Sequence, residues 1–295
     1  MRRRKNVLLL FSKVPQPGLV KTRLTTLKDG IYEPEVASAL YHNMLFDVCE
    51  ICMGAFDRLE AREPERDAEG ELIEDVYELR ISTTPAGNLD AMRALFTASG
   101  EWPRPIAFDF DEGATFDDHY NQAFQKAWDD GADAILSMGA DMPALTCADV
   151  MRGFEALHRV DALPREEGAP AGGIVLAPDQ EMGVSIVGWT RATAFDHSGV
   201  YYCQDGLTVL PAYIQKARRL GLPALYLPAV PDIDTMADLW HNVTLVEALN
   251  YTAPFDDNVP PWRTYDAFKQ MGIGQIRVMP NDLRDPREQI DTPAD

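Results

Sequence analysis

Short apolar runs alternate along this chain with longer segments whose apolar residues recur at helical spacing. The predicted strands are residues 7–11, 77–82, 106–108, 134–138, 174–177, 184–189 and 224–227. The predicted helices are residues 33–56, 89–98, 116–128, 147–157, 207–220 and 235–248. Strands that are separated by helices pair into a parallel sheet with helices on both faces, and ligands bind at the carboxyl ends of the strands. The pattern therefore predicts an α/β protein with a three-layer, doubly wound, mostly parallel sheet.

The alternation stops near residue 250. The remaining chain is rich in Pro and Asp and has one helical stretch, at residues 263–271. We therefore predict one main domain at residues 1–249 and a C-terminal extension, an arm or a lid, at residues 250–295.

The charge distribution points to a local anion site. The 295-residue chain has a formal net charge of −20, yet seven of its 27 lysines and arginines lie within residues 1–23. A nucleic-acid-binding surface needs a broad basic face, so nucleic acid is not an expected partner. No apolar stretch approaches the roughly 20 residues that span a bilayer, so a membrane partner is not expected either. The apolar part of residues 6–11 is too short for a signal peptide, and prolines follow it, so we expect a cytoplasmic protein.

Two clusters of chemically active side chains favour structural interpretations. Cys49 and Cys52 form a C-x-x-C within a helical pattern, which places both thiols on one helix face and favours core packing over a redox or metal pair. Five acidic residues between positions 109 and 118 resemble a solvated face more than a metal site.

The loop after the first predicted strand carries fixed cations. Residues 12–24 contain two prolines and Gly18 and end in Lys21-Thr22-Arg23-Leu24. A loop at the carboxyl end of a parallel strand, with cations and free backbone N–H groups, suits a polyphosphate.

Two carboxylates also follow predicted strands. Asp141 comes after the strand at 134–138, and Asp234 comes after the strand at 224–227. Each has an alternative role, since Asp141 could cap the following turn and Asp234 or Thr235 could cap the following helix. If the fold brings the two carboxylates together, they suit Mg²⁺, which binds through one or two carboxylates plus substrate phosphates.

The three motifs, in this order, resemble the nucleotide-diphospho-sugar transferase (GT-A-like) superfamily. P-x-P-G-x-V-K-T-R-L, G-A-D-x-P and D-I-D-T carry the resemblance over roughly residues 6–248, and Tyr120-Asn121-Gln122-Ala123 is a weaker fourth match. The branch most similar to this chain contains 2-phospholactate guanylyltransferase and a bacterial uncharacterised or arsenosugar-associated glycosyltransferase group.

The resemblance implies that residues 1–249 are a nucleotide-binding transferase domain, and it implies roles for individual residues. It implies that Lys21 and Arg23 are catalytic and that Asp141 and Asp234 hold Mg²⁺ or Mn²⁺. The implied nucleotide- and phosphate-binding residues are Lys13, Gly18, Thr22 and Asn121. Such chemistry depends on positioning, cations and metal more than on covalent catalysis by the protein.

The sequence departs from the relatives at two positions. Their glycine-rich acceptor turn is replaced by residues 179–185, DQEMGVS, which keep only Gly183 for the acceptor loop. Glu181 and Met182 in this turn would crowd or repel an anionic acceptor. His119 stands where many relatives have Arg, and a surface position is the favoured interpretation of this His.

Three functions follow from these observations. The leading one is a Mg²⁺-dependent nucleotidyltransferase that moves a nucleoside monophosphate from a nucleoside triphosphate to a small phosphorylated or anionic acceptor and releases pyrophosphate. The second is a glycosyltransferase with a nucleotide-sugar donor, and the third is a non-catalytic nucleotide binder. A homodimer is a possible assembly.

Overall fold

A seven-stranded sheet with helices on both faces forms the centre of the protein. The computed structural model describes residues 1–28, 30–66, 70–201, 203, 205–256 and 258–274. The strands are β1 (Arg2–Phe11), β2 (Ile73–Thr83), β3 (Ile106–Phe110), β4 (Ala134–Gly139), β5 (Ile174–Pro178), β6 (Val184–Thr190) and β7 (Ala224–Tyr226). The helices are α1 (Pro34–Glu60), α2 (Leu89–Ala98), α3 (Phe116–Asp129), α4 (Cys147–Asp161), α5 (Val209–Arg219), α6 (Met236–Asp256) and α7 (Trp262–Gln270).

The strand order is β3-β2-β1-β4-β6-β5-β7. Within this described sheet, β6 alone runs antiparallel to its neighbours, β4 and β5. The other strand pairs are parallel. The predicted mostly parallel α/β fold is confirmed, and the predicted strands at 7–11, 134–138 and 224–227 lie in one sheet.

The two faces of the sheet bury two separate apolar clusters. Leu8 and Leu10 of β1 point into the larger cluster, which contains side chains of α1, α2, α4, α6 and α7. Val7 and Leu9 point to the other face, under α3 and α5. This alternation along β1 is what a strand that is buried on both faces requires. Cys49, Cys52 and Cys147 are free and buried, as the core interpretation predicts.

Three helices begin with the same Thr-x-x-Asp capping box. The hydroxyl of Thr115 accepts a hydrogen bond from the Asp118 N–H at 3.2 Å, and the Asp118 carboxylate accepts the Thr115 N–H at 3.0 Å. Thr146 and Asp149 cap α4 in the same way, and Thr235 and Asp238 repeat the arrangement before α6. These caps satisfy N–H groups that the first helical turn leaves without partners, so each helix starts at a fixed residue after its loop.

The predicted boundary at residue 249 falls inside α6, which continues to Asp256. Helix α7 then packs on α1: both terminal nitrogens of Arg263 donate to Glu50 at 2.6 Å, and the Thr264 N–H donates to buried Asp47 at 2.7 Å. Phe268 is fully buried in the larger cluster. The arm-or-lid role stays a prediction, and residues 275–295 lie outside the described residues. None of the described helices combines the length and apolar character that crossing a membrane requires.

A cluster of aromatic side chains under α3 and α5 encloses His197. Its Nδ1 contacts the Tyr213 hydroxyl at 2.7 Å, while rings of Phe124 and Trp189 lie 4.7 and 4.9 Å from the imidazole. Burial, assisted by the positive charge of Lys216, lowers the pKa of His197 from 6.5 to about 3. The folded protein therefore keeps this imidazole neutral.

Acid should destabilise the protein through His197. Below pH 6.5 the unfolded chain takes up a proton that folded His197 refuses, so the free energy of unfolding falls as the pH drops from 6.5 toward 3. Between pH 7 and pH 5 we expect His197→Phe to lose about 2 kcal/mol less than the wild type in urea denaturation. Some acid sensitivity should remain, since burial also lowers the pKa of His158 to about 4. The control is His241→Ala, at an exposed position; equal losses in the wild type and in His197→Phe would contradict the prediction.

Candidate active site

A cleft of about 650 Å³ opens at the carboxyl ends of β1, β2 and β4. Its volume is in the range of small-molecule sites, and its position is the one that parallel α/β sheets use for ligands. The residues that line it include Lys21, exposed Lys13 and the two predicted metal ligands, Asp141 and Asp234.

The loop after β1 has two residues with left-handed backbone conformations. Gly18 has φ of 78°, and a Cβ there would make only ordinary contact with Leu27 at 3.7 Å, so the conformation rather than the space favours glycine. Lys21 has φ of 47° and ψ of 37° directly before the 3₁₀ turn Thr22–Leu24. A residue with a Cβ pays about 1–2 kcal/mol for this conformation, so other interactions of Lys21 must offset the strain.

Those interactions are two ion pairs of one ammonium group. Lys21 Nζ donates to Asp141 Oδ2 at 2.6 Å and to Asp234 Oδ1 at 2.8 Å. The lysine side chain is 6% exposed. The fold therefore brings Asp141 and Asp234 together, as the metal hypothesis requires, with the ammonium of Lys21 between them.

Neither aspartate serves as a helix cap. The Thr235 hydroxyl caps α6 by accepting the Asp238 N–H at 3.3 Å, which leaves the Asp234 carboxylate for Lys21. Asp141 lies over Gly139, where a Cβ would stand 2.6 Å from Asp141 Oδ1, so a larger residue there would displace the carboxylate. The Asp141 carbonyl accepts the Ile233 N–H at 3.0 Å and joins the β4 end to the loop before α6.

The electrostatics of the cluster favour a cation between the carboxylates. Burial lowers the pKa of Lys21, but the charges of Asp141 and Asp234 outweigh it and the net pKa is raised. The charge of Lys21 in turn holds the pKa of Asp234 below its ordinary value, against burial. Burial and the two neighbouring carboxylates raise the pKa of Asp232 to about 7. Carboxylates therefore outnumber the ammonium at this end of the cleft.

Asp141 and Asp234 fit a divalent cation as a pair of oxygen ligands. Within the described parts of the chain, no three side chains of metal-binding type converge on one point. Mg²⁺ commonly takes one or two carboxylates and completes its octahedron with water and substrate phosphates, so a pair suffices.

Arg23 and Lys13 are the two exposed cations among the predicted site residues. The Arg23 side chain is 60% exposed and reaches Asp234 with one nitrogen at 3.4 Å. The expectation that all basic residues of the N-terminal segment form one anion site is wrong for positions 2–5. They belong to β1, whose start lies at the opposite end of the sheet, where Arg4 pairs with Asp75 at 2.6 Å and Lys5 with Glu78 at 2.8 Å.

Five of the predicted site residues lie outside the lining of the cleft, namely Gly18, Thr22, Arg23, Asn121 and Gly183. The Asn121 side chain braces another loop: its Oδ1 accepts the His197 N–H at 2.7 Å and its Nδ2 donates to Ser198 at 3.2 Å. The carbonyl of Thr22 accepts the Thr25 N–H and hydroxyl within its own turn. Gly183 donates its N–H to Asp179 Oδ1 at 2.8 Å.

The acceptor turn is therefore closed by its own Asp179, which also accepts the Glu181 N–H at 2.6 Å. Glu181 and Met182 are exposed. Gln180 holds the turn against the loop before α6, since its amide nitrogen donates to Asp232 at 2.9 Å and to Asp238 at 2.7 Å.

His119 is a cleft residue that sequence reasoning misplaced. It lines the cleft, and its Nδ1 lies 2.6 Å from Asp111 Oδ1. Asp111 and Asp117 are buried, so the solvated-face interpretation of the acidic cluster is wrong for these two. Asp117 accepts the N–H groups of Gly199 and Tyr201 at 2.8 and 2.9 Å. No local sequence signal distinguishes these aspartates from their exposed neighbours, because their partners are distant in sequence.

Comparisons with known proteins agree with the fold. Residues 72–203 match the family model described as "Uncharacterized protein conserved in bacteria (DUF2064)". No curated protein matches the chain. A structure from Desulfovibrio desulfuricans G20, provisionally named a nucleotide-diphospho-sugar transferase, is 23% identical and covers 90% of this chain and 95% of its own, with a TM-score of 0.63. The resemblance to that superfamily is thereby confirmed for the fold.

More distant structures include proteins with transferase names or a bound metal. A cytidylyltransferase from Leptospira borgpetersenii is 12% identical over 95% of this chain and 99% of its own, with a TM-score of 0.39. Rv0371c from Mycobacterium tuberculosis, in complex with manganese, is 14% identical over 82% of this chain and 97% of its own, with a TM-score of 0.40.

Removing the ammonium between the carboxylates should make stability depend on Mg²⁺. In Lys21→Met, Asp141 and Asp234 lose their shared counter-ion, so the variant should be less stable and should gain more from Mg²⁺ than the wild type does. Melting temperatures with and without about 10 mM MgCl₂ measure this stabilisation. Lys28→Met, at an exposed position in the same loop, is the matched control. A Mg²⁺ response in Lys21→Met no larger than in the wild type would contradict the assignment of this pair.

Proposed function

We propose that the protein is a Mg²⁺-dependent nucleotidyltransferase that uses a nucleoside triphosphate and a small-molecule acceptor. The observation that carries the proposal is the junction of Lys21 with Asp141 and Asp234 inside a ligand-sized cleft. A carboxylate pair for a divalent cation stands beside cations for phosphate oxygens, and a metal–triphosphate complex needs both at once.

The chemistry is displacement at the α-phosphorus of the triphosphate. An acceptor oxygen forms the new bond to phosphorus, the bond to the bridging oxygen breaks, and pyrophosphate leaves with that electron pair. Asp141 and Asp234 would hold Mg²⁺, which when bound offsets negative charge on the phosphates. Lys13 in the lining of the cleft and Arg23 beside Asp234 bind phosphate oxygens, and Lys21 donates to them once the carboxylates have another counter-ion.

A glycosyltransferase with a nucleotide-sugar donor is the second candidate. The specific observation in its favour is the acceptor turn, where Asp179 already accepts the N–H groups of Glu181 and Gly183. A turn with its donors occupied suits a neutral hydroxyl acceptor better than the phosphorylated acceptor expected for the nucleotidyltransferase. The cytoplasmic location and the possible homodimer remain predictions.

Arg23→Ala should weaken triphosphate binding and spare the nucleoside. Loss of one charge-assisted contact costs ~1.5–3 kcal/mol, or roughly ten- to a hundredfold in affinity. Calorimetric titrations of GTP, CTP and a UDP-sugar with Mg²⁺, each compared with its bare nucleoside, measure the loss, with Lys28→Ala as the control. Unchanged triphosphate affinity in both Arg23→Ala and Lys13→Ala would remove the anion site on which the proposal depends.

The two reactions differ in their products. A nucleotidyltransferase releases pyrophosphate from a triphosphate, whereas a glycosyltransferase releases a nucleotide from a nucleotide sugar. Incubation with an acceptor mixture and phosphorus NMR of the products therefore separates them. Tight nucleotide binding with neither product, over the full acceptor mixture, would favour the non-catalytic binder and contradict the proposal.

A further inference from the structure

His119 is anchored from beneath by two polar side chains. Its Nδ1 lies 2.6 Å from one oxygen of Asp111, and the other Asp111 oxygen accepts the Ser82 hydroxyl at 2.6 Å. Asp111 is 3% exposed, and its N–H donates to the Thr83 carbonyl at 3.2 Å. The carboxylate is thus fixed between the ends of β2 and β3 and fixes the imidazole ring in turn.

This anchoring determines which nitrogen of His119 serves a ligand. A carboxylate only accepts hydrogen bonds, so Nδ1 carries the hydrogen that faces Asp111. In the neutral ring the remaining nitrogen, Nε2, is an acceptor. Among the described residues, Nε2 has no hydrogen-bond partner, while the ring lines the cleft. His119 therefore offers an oriented acceptor to whatever fills the cleft.

The position of His119 separates it from the phosphate end. Ser82 at the end of β2 and Asp111 after β3, which hold His119, lie on one side of β1, whereas Asp141 follows β4 on the other side. The Phe11 ring, stacked on Tyr120 at 3.9 Å, lies at the end of β1 between these sides. A nucleotide with its phosphates at Lys21 and its nucleoside beside His119 would occupy both sides of this cleft.

The apolar lining of that side suits a nucleoside. Phe116 lines the cleft, is 54% exposed and has its ring 6.4 Å from that of His119, and Pro85 follows the end of β2. Flat apolar contacts beside one oriented acceptor match a ring system that carries a polar N–H or O–H.

We propose that His119 is a specificity-determining residue whose Nε2 accepts a hydrogen bond from an N–H or O–H of the nucleoside half of the donor, with Asp111 and Ser82 as positioning residues. The proposal rests on the function proposed above, because it takes the ligand to be a nucleotide. It goes further by assigning the nucleoside end of the cleft and the polarity of the group that is recognised there.

Matched nucleotides test the assignment by calorimetry with Mg²⁺. CTP and UTP differ in an amino against a carbonyl group, ATP and ITP differ in the same way, and 2′-deoxy forms remove a ribose hydroxyl. For the pair that differs in the recognised group, His119→Ala should lower the affinity of the member whose N–H or O–H faces Nε2 about three- to tenfold and leave its partner unchanged. Loss of discrimination between CTP and UTP, or between ATP and ITP, identifies an N–H of the base. Loss of discrimination between a ribonucleotide and its 2′-deoxy form identifies the ribose O–H.

Three further variants sharpen this test. His119→Gln keeps an acceptor near the Nε2 position and should retain part of the discrimination. Asp111→Asn should reduce the discrimination when His119 is present and should have no further effect in the His119→Ala background. A merely structural role would not show this dependence. His241→Ala, at an exposed position on α6, should change nothing.

Two negative results are distinguishable. Unchanged affinities and ratios in His119→Ala, with weaker triphosphate binding in Arg23→Ala, would overturn the role of His119 and leave the nucleotidyltransferase proposal standing. Unchanged triphosphate affinities in His119→Ala, Arg23→Ala and Lys13→Ala would overturn both.

Discussion

The ion pairs of Lys21 are the constraint on which the candidate site depends. One ammonium joins the loop after β1 to the end of β4 and to the loop before α6, over sequence separations of 120 and 213 residues. Without this cation, two carboxylates would face each other in a chain whose formal net charge is already −20. The same contacts offset the left-handed backbone of Lys21, a conformation that a lysine adopts only under compensation.

The sheet supplies the position of this junction. The carboxyl ends of the parallel strands β1, β2 and β4 lie at one edge of the sheet. Residues that follow these strands therefore meet, although they are far apart in the sequence. Local capping then assigns each polar group: Thr235 caps α6, which leaves Asp234 for the cleft, and the Asp118 side chain caps α3 while Asp111 anchors His119. The cleft thus has a charged end at β1 and β4 and an end at β2 and β3 that offers one oriented acceptor.

Sequence reasoning reached the fold and the charged end for physical reasons. Apolar runs and helical periodicity are local, so the strands, the helices and the placement of Asp141 and Asp234 at strand ends follow from them. The locations of Arg4, Asn121 and Asp111 depend on partners that are distant in the sequence. Arg4 meets Asp75 at the far end of the sheet, Asn121 meets the loop at His197, and Asp111, which holds His119, meets Ser82 of β2. No local pattern encodes these contacts.

If a divalent cation binds with the triphosphate at the place of the Lys21 ammonium, between Asp141 and Asp234, a crystal structure can show it. The crystal would contain Mn²⁺ and a triphosphate whose α,β-bridge resists cleavage, with data recorded at the manganese absorption edge. We expect an anomalous peak within about 2.3 Å of oxygens from both carboxylates, with Lys21 Nζ moved to a phosphate oxygen. A bound nucleotide with Lys21 still bridging the two carboxylates and the metal elsewhere would show that the cation does not bind there.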